Sequence, residues 1–520
     1  MRNTITTSLK PVAVAALLTM GMGGIAHSGE TVDLGDGLKF DWRLNANYTL
    51  GTRVKSPDAL LSSATKNANG NDGTNNFKKG AITANRLAAL FESKLSKGSS
   101  GLVFTASSFY DDAYQGRNDN NGASTNPNAV NSQAPFDHFN SWTERYHGGY
   151  TRLLDTYAYT GFDIGQTRAT VRVGRHVVNW GESSFFANIS AAQGPFDGTK
   201  SGIPGTEVKE AILPEDQISG SLEVTPELTL LGHAQFGFHE TIAPGVGSFL
   251  STSDVTGPGS SCLGPYTATG VCRGVNKGND IRPGKTGQWG IGSRYRVTNE
   301  TEVGLYYLNY NDRTPMVAVK PDYSAYQIRY FDDIKLLGTT VSTSFGKVSA
   351  YGEFTYRKGA PALVGTASTA VRANIMQGNI GGFYNIGRTP LADDMQFLAE
   401  LSAVRINSVD GYSTNDLSFK TRNGLAFSGT WVLSYPGFIE GWDMTVPMSY
   451  SRQLRGRTLA GGVGGEGDSR YSVGVNFVRK SALTIGVTYL GYLGDASLDS
   501  KKYRAMVDRD QLSINLKYSF

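Results

Sequence analysis

Apolar and polar side chains alternate with a period of two along residues 38–52, LKFDWRLNANYTLGT. In an extended strand, such a period places one set of side chains on each face. Every second residue from Leu38 to Leu50 is apolar or aromatic, whereas the intervening positions, including Arg43, are polar or charged. The segment therefore predicts a β-strand with one apolar face, and that face must contact either a protein core or lipid.

The same alternation recurs along the rest of the chain. We count about eighteen such segments of roughly nine to fourteen residues, the length that a tilted strand needs to cross a bilayer. The clearest later segments lie at 83–95, 166–178, 286–297, 348–358, 422–434, 469–479 and 482–493. Weaker ones lie at 101–111, 150–163, 216–224, 228–240, 301–311, 334–345, 372–385, 393–405 and 442–452, and the last lies at 508–520.

The connections between these segments alternate in length. Short links lie near 96–100, 163–166, 225–227, 298–300, 346–347 and 479–482, and long polar connections lie near 54–82, 112–149, 179–216, 240–285, 312–333, 453–468 and 494–507. Outer-membrane barrels have short periplasmic turns and long extracellular loops, whereas a soluble sandwich has no reason to alternate in this way. The sequence predicts an all-β, transmembrane, up-and-down antiparallel barrel of about 18 strands whose apolar face contacts outer-membrane lipid.

The first residues read as an export signal. Arg2 and Lys10 precede an apolar run that ends near Ile25, and small residues follow. A charged start, a short apolar core and a small-residue end are typical of a secretory signal peptide, and the run is too short for a comfortable spanning helix. We therefore divide the chain into a signal peptide at 1–28 and a barrel at 29–520, and we expect the mature protein in the outer membrane.

The charge of the chain is nearly balanced. It carries 49 basic and 45 acidic residues, and removal of Arg2 and Lys10 leaves 47 and 45. Because so small an excess does not attract a polyanion, we expect no nucleic-acid partner.

Two cysteines lie close together in a loop rich in Gly, Pro and Ser. Cys262 and Cys272 flank the sequence LGPYTATGV, which contains no His or acidic residue. In an oxidising compartment this spacing predicts a disulfide that staples the loop. Since the loop offers no further metal ligand, metal binding by these cysteines is a poor alternative. We predict neither a metal nor a cofactor for the chain.

The closing residues, VDRDQLSINLKYSF, place an apolar and aromatic set on one face. A final strand of this kind, ending in Phe, resembles the assembly signal that outer-membrane barrels present to their insertion machinery. We therefore expect the barrel assembly machinery as a partner. The residues in this set are Leu512, Ile514, Leu516, Tyr518 and Phe520.

Several stretches resemble one family. They are VRVGRHVVNWGES (171–183), GTEVKEAILP (205–214), YFDDIKLLGTTVSTSFG (330–346), WDMTVPMSYSRQLRG (442–456) and the closing DRDQLSINLKYSF. The family consists of large outer-membrane proteins of Gram-negative bacteria, common in pseudomonads and catalogued as a domain of unknown function. The resemblance covers nearly the whole mature chain and implies a barrel. Members tend to be encoded near an outer-membrane lipoprotein and an RND-type transporter, which implies these two as partners.

Charged residues on the polar phase of the strands are candidates for the lumen. Arg168 and Arg172 fall on the fifth strand, Glu353 on the eleventh and Glu400 on the thirteenth, which lies nearly opposite the fifth in a ring of about eighteen. Facing basic and acidic walls would orient polar permeants, although such charges could equally solvate the lumen or pair with a plug loop. The candidate pore-lining residues are Arg43, Glu92, Arg168, Arg172, Arg294, Glu353, Arg357 and Glu400.

The third long connection, 179–216, differs from its neighbours. It contains SSFFANISAAQGPF and GIPGTEVKEAILP, with a possible helical turn at 208–213. Apolar loop sequence needs a surface to pack against, so we predict that this connection folds into the barrel and narrows it. The alternative is that it forms a lid or contacts a neighbouring subunit.

Three functions are compatible with this sequence. A channel or transporter for small molecules is favoured by the charged lumen, and a conduit for lipids or hydrophobic compounds is favoured by the family neighbourhood. A barrel-embedded hydrolase is the weakest, because His176, His233, His239 and Ser183 lie near the rim but no recognised catalytic motif surrounds them. We predict no catalytic residues.

Overall fold

The computed structural model describes residue 29 and residues 31–520, apart from residue 367. The predicted signal peptide lies outside the described residues. Eighteen strands form one antiparallel sheet in chain order. They are β1 Leu38–Arg53, β2 Ile82–Lys97, β3 Ser100–Asp111, β4 Gly149–Ile164, β5 Thr167–His176, β6 Glu215–Glu223, β7 Leu228–Gln235, β8 Gln288–Arg296, β9 Thr301–Tyr310, β10 Ile334–Phe345, β11 Val348–Val364, β12 Thr369–Gly387, β13 Asp394–Val409, β14 Asn423–Ile439, β15 Trp442–Arg455, β16 Ser469–Arg479, β17 Leu483–Leu493 and β18 Gln511–Ser519.

The sheet closes on itself. β18 pairs with β17 and also with β1, where Leu50 lies opposite Ile514. A further two-residue strand, Val32–Asp33, pairs with the start of β1 at Phe40. The predicted up-and-down barrel is therefore confirmed, and each predicted strand overlaps an observed one.

The two faces of the wall differ in polarity. On the outward phase, apolar side chains are exposed, among them Ile291, Leu305, Leu337, Ile380 and Ile514. On the inward phase, polar side chains such as Asn47, Thr355 and Ser402 are buried, whereas the inward side chains of an open barrel would contact water. Side chains alternate between the interior and the exterior of any barrel. The buried polar residues indicate that chain segments occupy part of the interior.

The connections explain why the interior is occupied. Turns of two to six residues at one rim alternate with longer loops at the other, of which 54–81, 112–148, 177–214 and 236–287 are the longest. β11 and β12 continue past the other strands, so only residues 365–368 join them. The loops carry two small hairpins, 262–263 with 275–276 and 316–319 with 326–329. Cys262 and Cys272 are bonded within the fourth long loop.

The helices are short and lie in the loops. No helix among residues 31–366 and 368–520 is long and apolar enough to cross a membrane. The α-helices are Asp72–Asn75, Pro127–Asn131, Ser141–Thr143 and Val208–Ala211, a π-helix spans Glu144–Gly148, and 3-10 helices span Asp112–Tyr114, Ala123–Thr125, Ser190–Ala192, Gly198–Lys200 and Thr414–Asp416.

Candidate functional site

Segment 177–214, which joins β5 to β6, contacts an acidic pair on the wall. The carboxylate of Glu353 on β11 accepts hydrogen bonds from the backbone amides of Glu182 at 2.7 Å and Ile189 at 2.6 Å. It also accepts one from the amide of Ser183 at 3.2 Å. A buried carboxylate that accepts several N–H groups is held strongly, because each bond is charge-assisted. Glu353 therefore fixes both ends of the turn 182–189.

Glu400 on β13 holds the middle of the same turn. Its carboxylate accepts hydrogen bonds from the amides of Ser184 at 2.6 Å, Phe185 at 3.0 Å and Phe186 at 3.2 Å. The hydroxyl of Tyr351 donates a further bond to it at 2.7 Å. Successive backbone amides that converge on one anion form a nest, and here the anion belongs to the wall.

A basic side chain completes this contact. The guanidinium of Arg357 on β11 donates to the backbone carbonyl of Asn188 at 3.0 Å and to its side-chain oxygen at 2.6 Å. Asn379 on β12 donates to the carbonyl of Phe186 at 2.6 Å and to the hydroxyl of Ser183 at 2.8 Å. Donors and acceptors of the turn are thus both satisfied by the wall, which gives the turn one defined position.

The same segment also contacts the opposite side of the ring. Lys209 donates to Glu92 on β2 at 2.6 Å, and Glu92 accepts two bonds from Arg43 on β1. The hydroxyl of Thr49 on β1 donates to the carbonyl of Pro204 at 2.9 Å. In the ring order, β2 and β11 are nine strands apart among eighteen. The segment therefore has contacts on walls that face each other.

Two short structures stabilise the far half of the segment. The helix Val208–Ala211 begins with a capping box between Glu207 and Glu210, which satisfies amides at its start. Asp197 is fully buried and accepts bonds from Tyr150 and Arg152 on β4, each at 2.7 Å. Burial alone would raise the pKa of Asp197, but the charges of Lys200 and Arg152 together with hydrogen bonds from Thr199 and Tyr150 lower it.

The remaining sequence-predicted residues have different surroundings. Arg294 on β8 donates to the Tyr306 hydroxyl at 3.2 Å and to the Trp180 carbonyl at 3.4 Å. Arg168, beside the β4–β5 turn, pairs with Asp163 at 3.0 Å. Arg172 is exposed. The structure thus brings Glu353, Arg357, Glu400 and Arg294 to one part of the segment and Arg43 with Glu92 to another. Arg168, beside the β4–β5 turn, and Arg172, in the middle of β5, are not among these contacts.

The histidines form contacts that the sequence did not predict. His176 Nε2 lies 2.6 Å from the Ser219 hydroxyl, not beside Ser183, and its Nδ1 lies 3.0 Å from the Gly174 carbonyl. In a Ser-His-Asp triad a carboxylate orients the imidazole, whereas here the Gly174 carbonyl lies beside Nδ1.

Three potential metal ligands also approach one another at the β6 start, namely Glu215, Asp216 and His239. Arg175 binds both oxygens of Asp216, at 2.8 and 3.0 Å, and Arg313 lies 3.5 Å from Glu215. These guanidinium groups already supply positive charge to the carboxylates, so the cluster is explained as an ion-pair network.

Several contacting residues were missed from the sequence, above all Lys209, Asn188, Asn379 and Arg313. Arg313 extends from the fifth long loop to Gln235 on β7 at 2.6 Å and to the Ala192 carbonyl at 3.2 Å. Their partners lie far away along the chain. Where the partner is a backbone group, as for Arg313 and the Ala192 carbonyl, the residue type at the partner position does not indicate the bond. For Lys209, the capping box at 207–210 was the one available signal, because it predicts a fixed helix and hence a fixed side chain.

Comparison with known proteins gives a family and a set of similar structures. A family model described as "Protein of unknown function (DUF1302)" matches residues 9–520. No curated protein sequence matches the chain. The chain is similar to the structure of OccAB2 from Acinetobacter baumannii, with 10% identity, a TM-score of 0.44 and coverage of 92% of this chain and 98% of that chain. It is also similar to two structures from Pseudomonas aeruginosa, each at 10% identity and with the same coverage: OccK2 (OpdF) in complex with glucuronate, with a TM-score of 0.41, and OpdK with vanillate, with a TM-score of 0.42.

Proposed function

The chain belongs to the DUF1302 family of proteins of unknown function, and we propose that it is an outer-membrane channel for small molecules. The observation that carries this proposal is a closed barrel of eighteen strands in which segment 177–214 is hydrogen-bonded to strands on facing walls. Barrels of sixteen to eighteen strands are wide enough for an aqueous channel, and a fixed segment inside such a barrel sets its bore.

The outer surface supports a membrane location. Exposed apolar side chains follow one another around the ring on the outward phase, for example Leu305, Leu337 and Ile380, which are 56%, 52% and 66% exposed. A soluble protein would expose so continuous an apolar surface to water at a large cost. In a bilayer the same surface contacts lipid tails. The outward set Leu512, Ile514, Leu516, Tyr518 and Phe520 retains its proposed role as the signal for the barrel assembly machinery.

Segment 177–214 is the proposed constriction. Its turn 182–189 is held by buried Glu353 and Glu400, and its helix 208–211 is tied through Lys209 to Glu92. A segment bound at both walls cannot swing out of the barrel without losing charge-assisted hydrogen bonds at one of them. It therefore acts as a permanent filter, whereas a mobile lid would be anchored at one end only.

Charged side chains that remain accessible border the proposed path. The Arg43 and Lys209 side chains are 52% and 43% exposed, although both are paired with Glu92. Lys517 on β18 pairs with Glu207 of the segment in the same region. Accessible charges at a narrow place set the local concentration of ions and orient polar solutes. The proposed permeants are accordingly small and polar.

Planar-bilayer recording of the purified barrel tests this proposal. The comparison is between the wild type and a variant in which residues 185–204 are replaced by a short Gly-Ser linker. We expect the wild type to conduct and the variant to conduct more, because the wall stays intact while the constriction is removed. A wild type without conductance, together with a variant that is also closed, would contradict the channel.

A second candidate function is passage of hydrophobic compounds together with a periplasmic lipoprotein and an RND transporter. It is favoured by a cavity of about 260 Å³ beside the turn 182–189, whose lining includes Phe185, Phe186, Tyr310 and Ile375 together with the charged Asp312 and Arg357. Uptake of a hydrophobic dye into liposomes that contain the barrel separates the two functions. Dye uptake without ion conductance would favour the conduit, and conductance without dye uptake favours the channel.

A further inference from the structure

Two aspartates from different long loops meet in the interior of the loop cluster. Asp72 belongs to loop 54–81 and Asp254 to loop 236–287, and both side chains are almost completely buried. Their carboxyl groups lie within hydrogen-bond reach of one another. Two carboxylates in contact and shielded from water repel each other strongly, so such a pair either holds one proton between its members or binds a cation.

The hydrogen bonds that the two aspartates accept involve only one oxygen of each carboxyl group. The amide of Asp72 donates to Oδ2 of Asp254 at 3.3 Å, and the side-chain amide of Asn128 donates to Oδ2 of Asp72 at 3.1 Å. The Oδ1 atoms of both aspartates are buried and lack a hydrogen-bond partner among the described residues. Buried acceptors without a donor are rare in native proteins, and each requires an explanation.

A third oxygen with the same property belongs to Asn71. Its side chain is fully buried, its Oδ1 has no partner among the described residues, and its backbone amide donates to the Asp254 carboxylate. The backbone of Asn71 therefore lies beside the carboxylate pair, and its side chain begins there. Unlike the aspartates, it is neutral, so repulsion between charges does not account for its open oxygen.

The nearest positive charge is already engaged. Arg509, in the loop before β18, donates to the Phe249 carbonyl and to the Thr74 hydroxyl, and it pairs with Asp508 at 3.2 Å. Its guanidinium is thus directed at other acceptors and makes no hydrogen bond with Asp72 or Asp254 in the described structure. The pair lacks the arginine contact that the ion pairs at Asp216 and Asp197 have.

We propose that Asp72, Asp254 and Asn71 bind one divalent cation, with Ca²⁺ preferred. All three contribute oxygen atoms, which are the ligands that Ca²⁺ and Mg²⁺ take. Ca²⁺ fits better because it accepts carboxylate and amide oxygens in irregular arrangements, whereas Mg²⁺ keeps several waters and demands an octahedron. The bound ion would join loop 54–81 to loop 236–287, and Asn128 extends this link to loop 112–148.

Calcium binding by the full-length barrel tests the proposal. After treatment with a chelator, the folded protein in detergent is titrated with Ca²⁺ by calorimetry, and with Mg²⁺ separately. We expect one Ca²⁺ per chain with a dissociation constant of about 10⁻⁴–10⁻³ M, as in extracellular calcium modules. Asp72→Asn and Asp254→Asn should each weaken this binding at least about tenfold, because each removes a charged ligand. The matched control is Asp322→Asn, in an exposed loop, which should bind as the wild type does.

A second measurement guards against variants that misfold. Protease cleavage of the loops is followed with and without millimolar Ca²⁺, and heat-modified electrophoretic migration reports that the barrel itself is intact. In the wild type and in Asp322→Asn, Ca²⁺ should slow cleavage, and in the Asp254→Asn barrel it should not. Absence of Ca²⁺ uptake by the wild type would overturn the proposal. So would an Asp254→Asn barrel that resists protease better than the wild type in Ca²⁺, since that result points to a proton shared by two carboxyls.

Discussion

Glu353 on β11 and Glu400 on β13 accept hydrogen bonds from one and the same turn of the chain, residues 182–189. The two carboxylates are 3% and 1% exposed, so neither is free to solvate an open lumen. The two carboxylates hold the turn together, because each accepts hydrogen bonds from backbone amides that do not bond to the other. The loop sequence supplies no charged partner for them, and its backbone does so instead.

Replacing this pair should loosen the turn without disturbing the wall. In Glu353→Gln and Glu400→Gln, each set of amides loses a charged acceptor, which should cost about 2 kcal/mol of local stability. The double variant should cost less than the sum, because both residues hold the same turn. The measurement is current noise in single-channel recordings together with hydrogen exchange of residues 182–189.

The control for this prediction is Glu302→Gln on β9, whose carboxylate has only a loose pairing with Arg294 at 3.8 Å. It should leave noise and exchange unchanged. If Glu302→Gln and Glu400→Gln had equal effects, the turn would not be held by the contacts described above.

The architecture could be predicted from the sequence because its signals are local. A period of two and an alternation of loop lengths exist within each stretch of chain, and every predicted strand overlaps an observed one. The inward phase of Glu353, Arg357 and Glu400 also follows from that period. Their partners could not be predicted, because backbone amides of residues 182–189 look alike in any sequence. Likewise, Lys209 and Glu92 are 117 residues apart, and only the folded barrel brings them together.

A second prediction concerns the orientation of the wall. Val487, in the middle of β17, is 45% exposed on the outward phase, and its neighbour Thr488 faces inward. Val487→Arg should cost about 2–4 kcal/mol of barrel stability, the cost of an arginine at the bilayer midplane. Thr488→Arg should cost little. Urea unfolding in lipid vesicles measures both, and equal costs would mean that the faces or the membrane had been misassigned.

A third prediction concerns charge along the proposed path. Arg43→Gln removes an accessible cation beside Glu92 and Lys209, so ion selectivity should shift towards cations. The shift should shrink as the salt concentration rises, because the screening length falls to about 3 Å at 1 M. Reversal potentials in salt gradients measure it.

Two arginines on β5 provide the comparison. From the sequence, neutralising Arg168 and Arg172 is expected to shift selectivity in the same direction. Arg168 lies beside a turn and pairs with Asp163, so Arg168→Gln should have a smaller effect than Arg43→Gln. A larger effect of Arg168→Gln than of Arg43→Gln would indicate that the narrowest charged part of the path lies at the rim of short turns and not at segment 177–214.

The last prediction is a pH dependence of the loop cluster, carried by His147 in the helix Glu144–Gly148. Its imidazole is buried against Tyr114, and its Nε2 accepts a hydrogen bond from the Gly245 amide at 2.9 Å. Burial, followed by the charge of Lys200, lowers the pKa of His147 to about 3, and Asp197 opposes this shift only in part. The unfolded chain has a histidine pKa of about 6.5, so below that pH it binds a proton that the folded loop does not. Stability of the loop contact is thus complete above about pH 6.5 and falls as the pH decreases towards 3, by about 1.4 kcal/mol per pH unit.

The protection factor of the Gly245 amide, which is the intrinsic exchange rate divided by the observed rate at the same pH, should therefore fall between pH 6.5 and 4. His147→Gln keeps an acceptor for that amide but does not titrate, so its exchange should lose this extra dependence, whereas His138→Gln, a partly exposed histidine of the same loop, should keep it. Identical pH profiles for wild type and His147→Gln would show that the imidazole is not held neutral in the loop cluster.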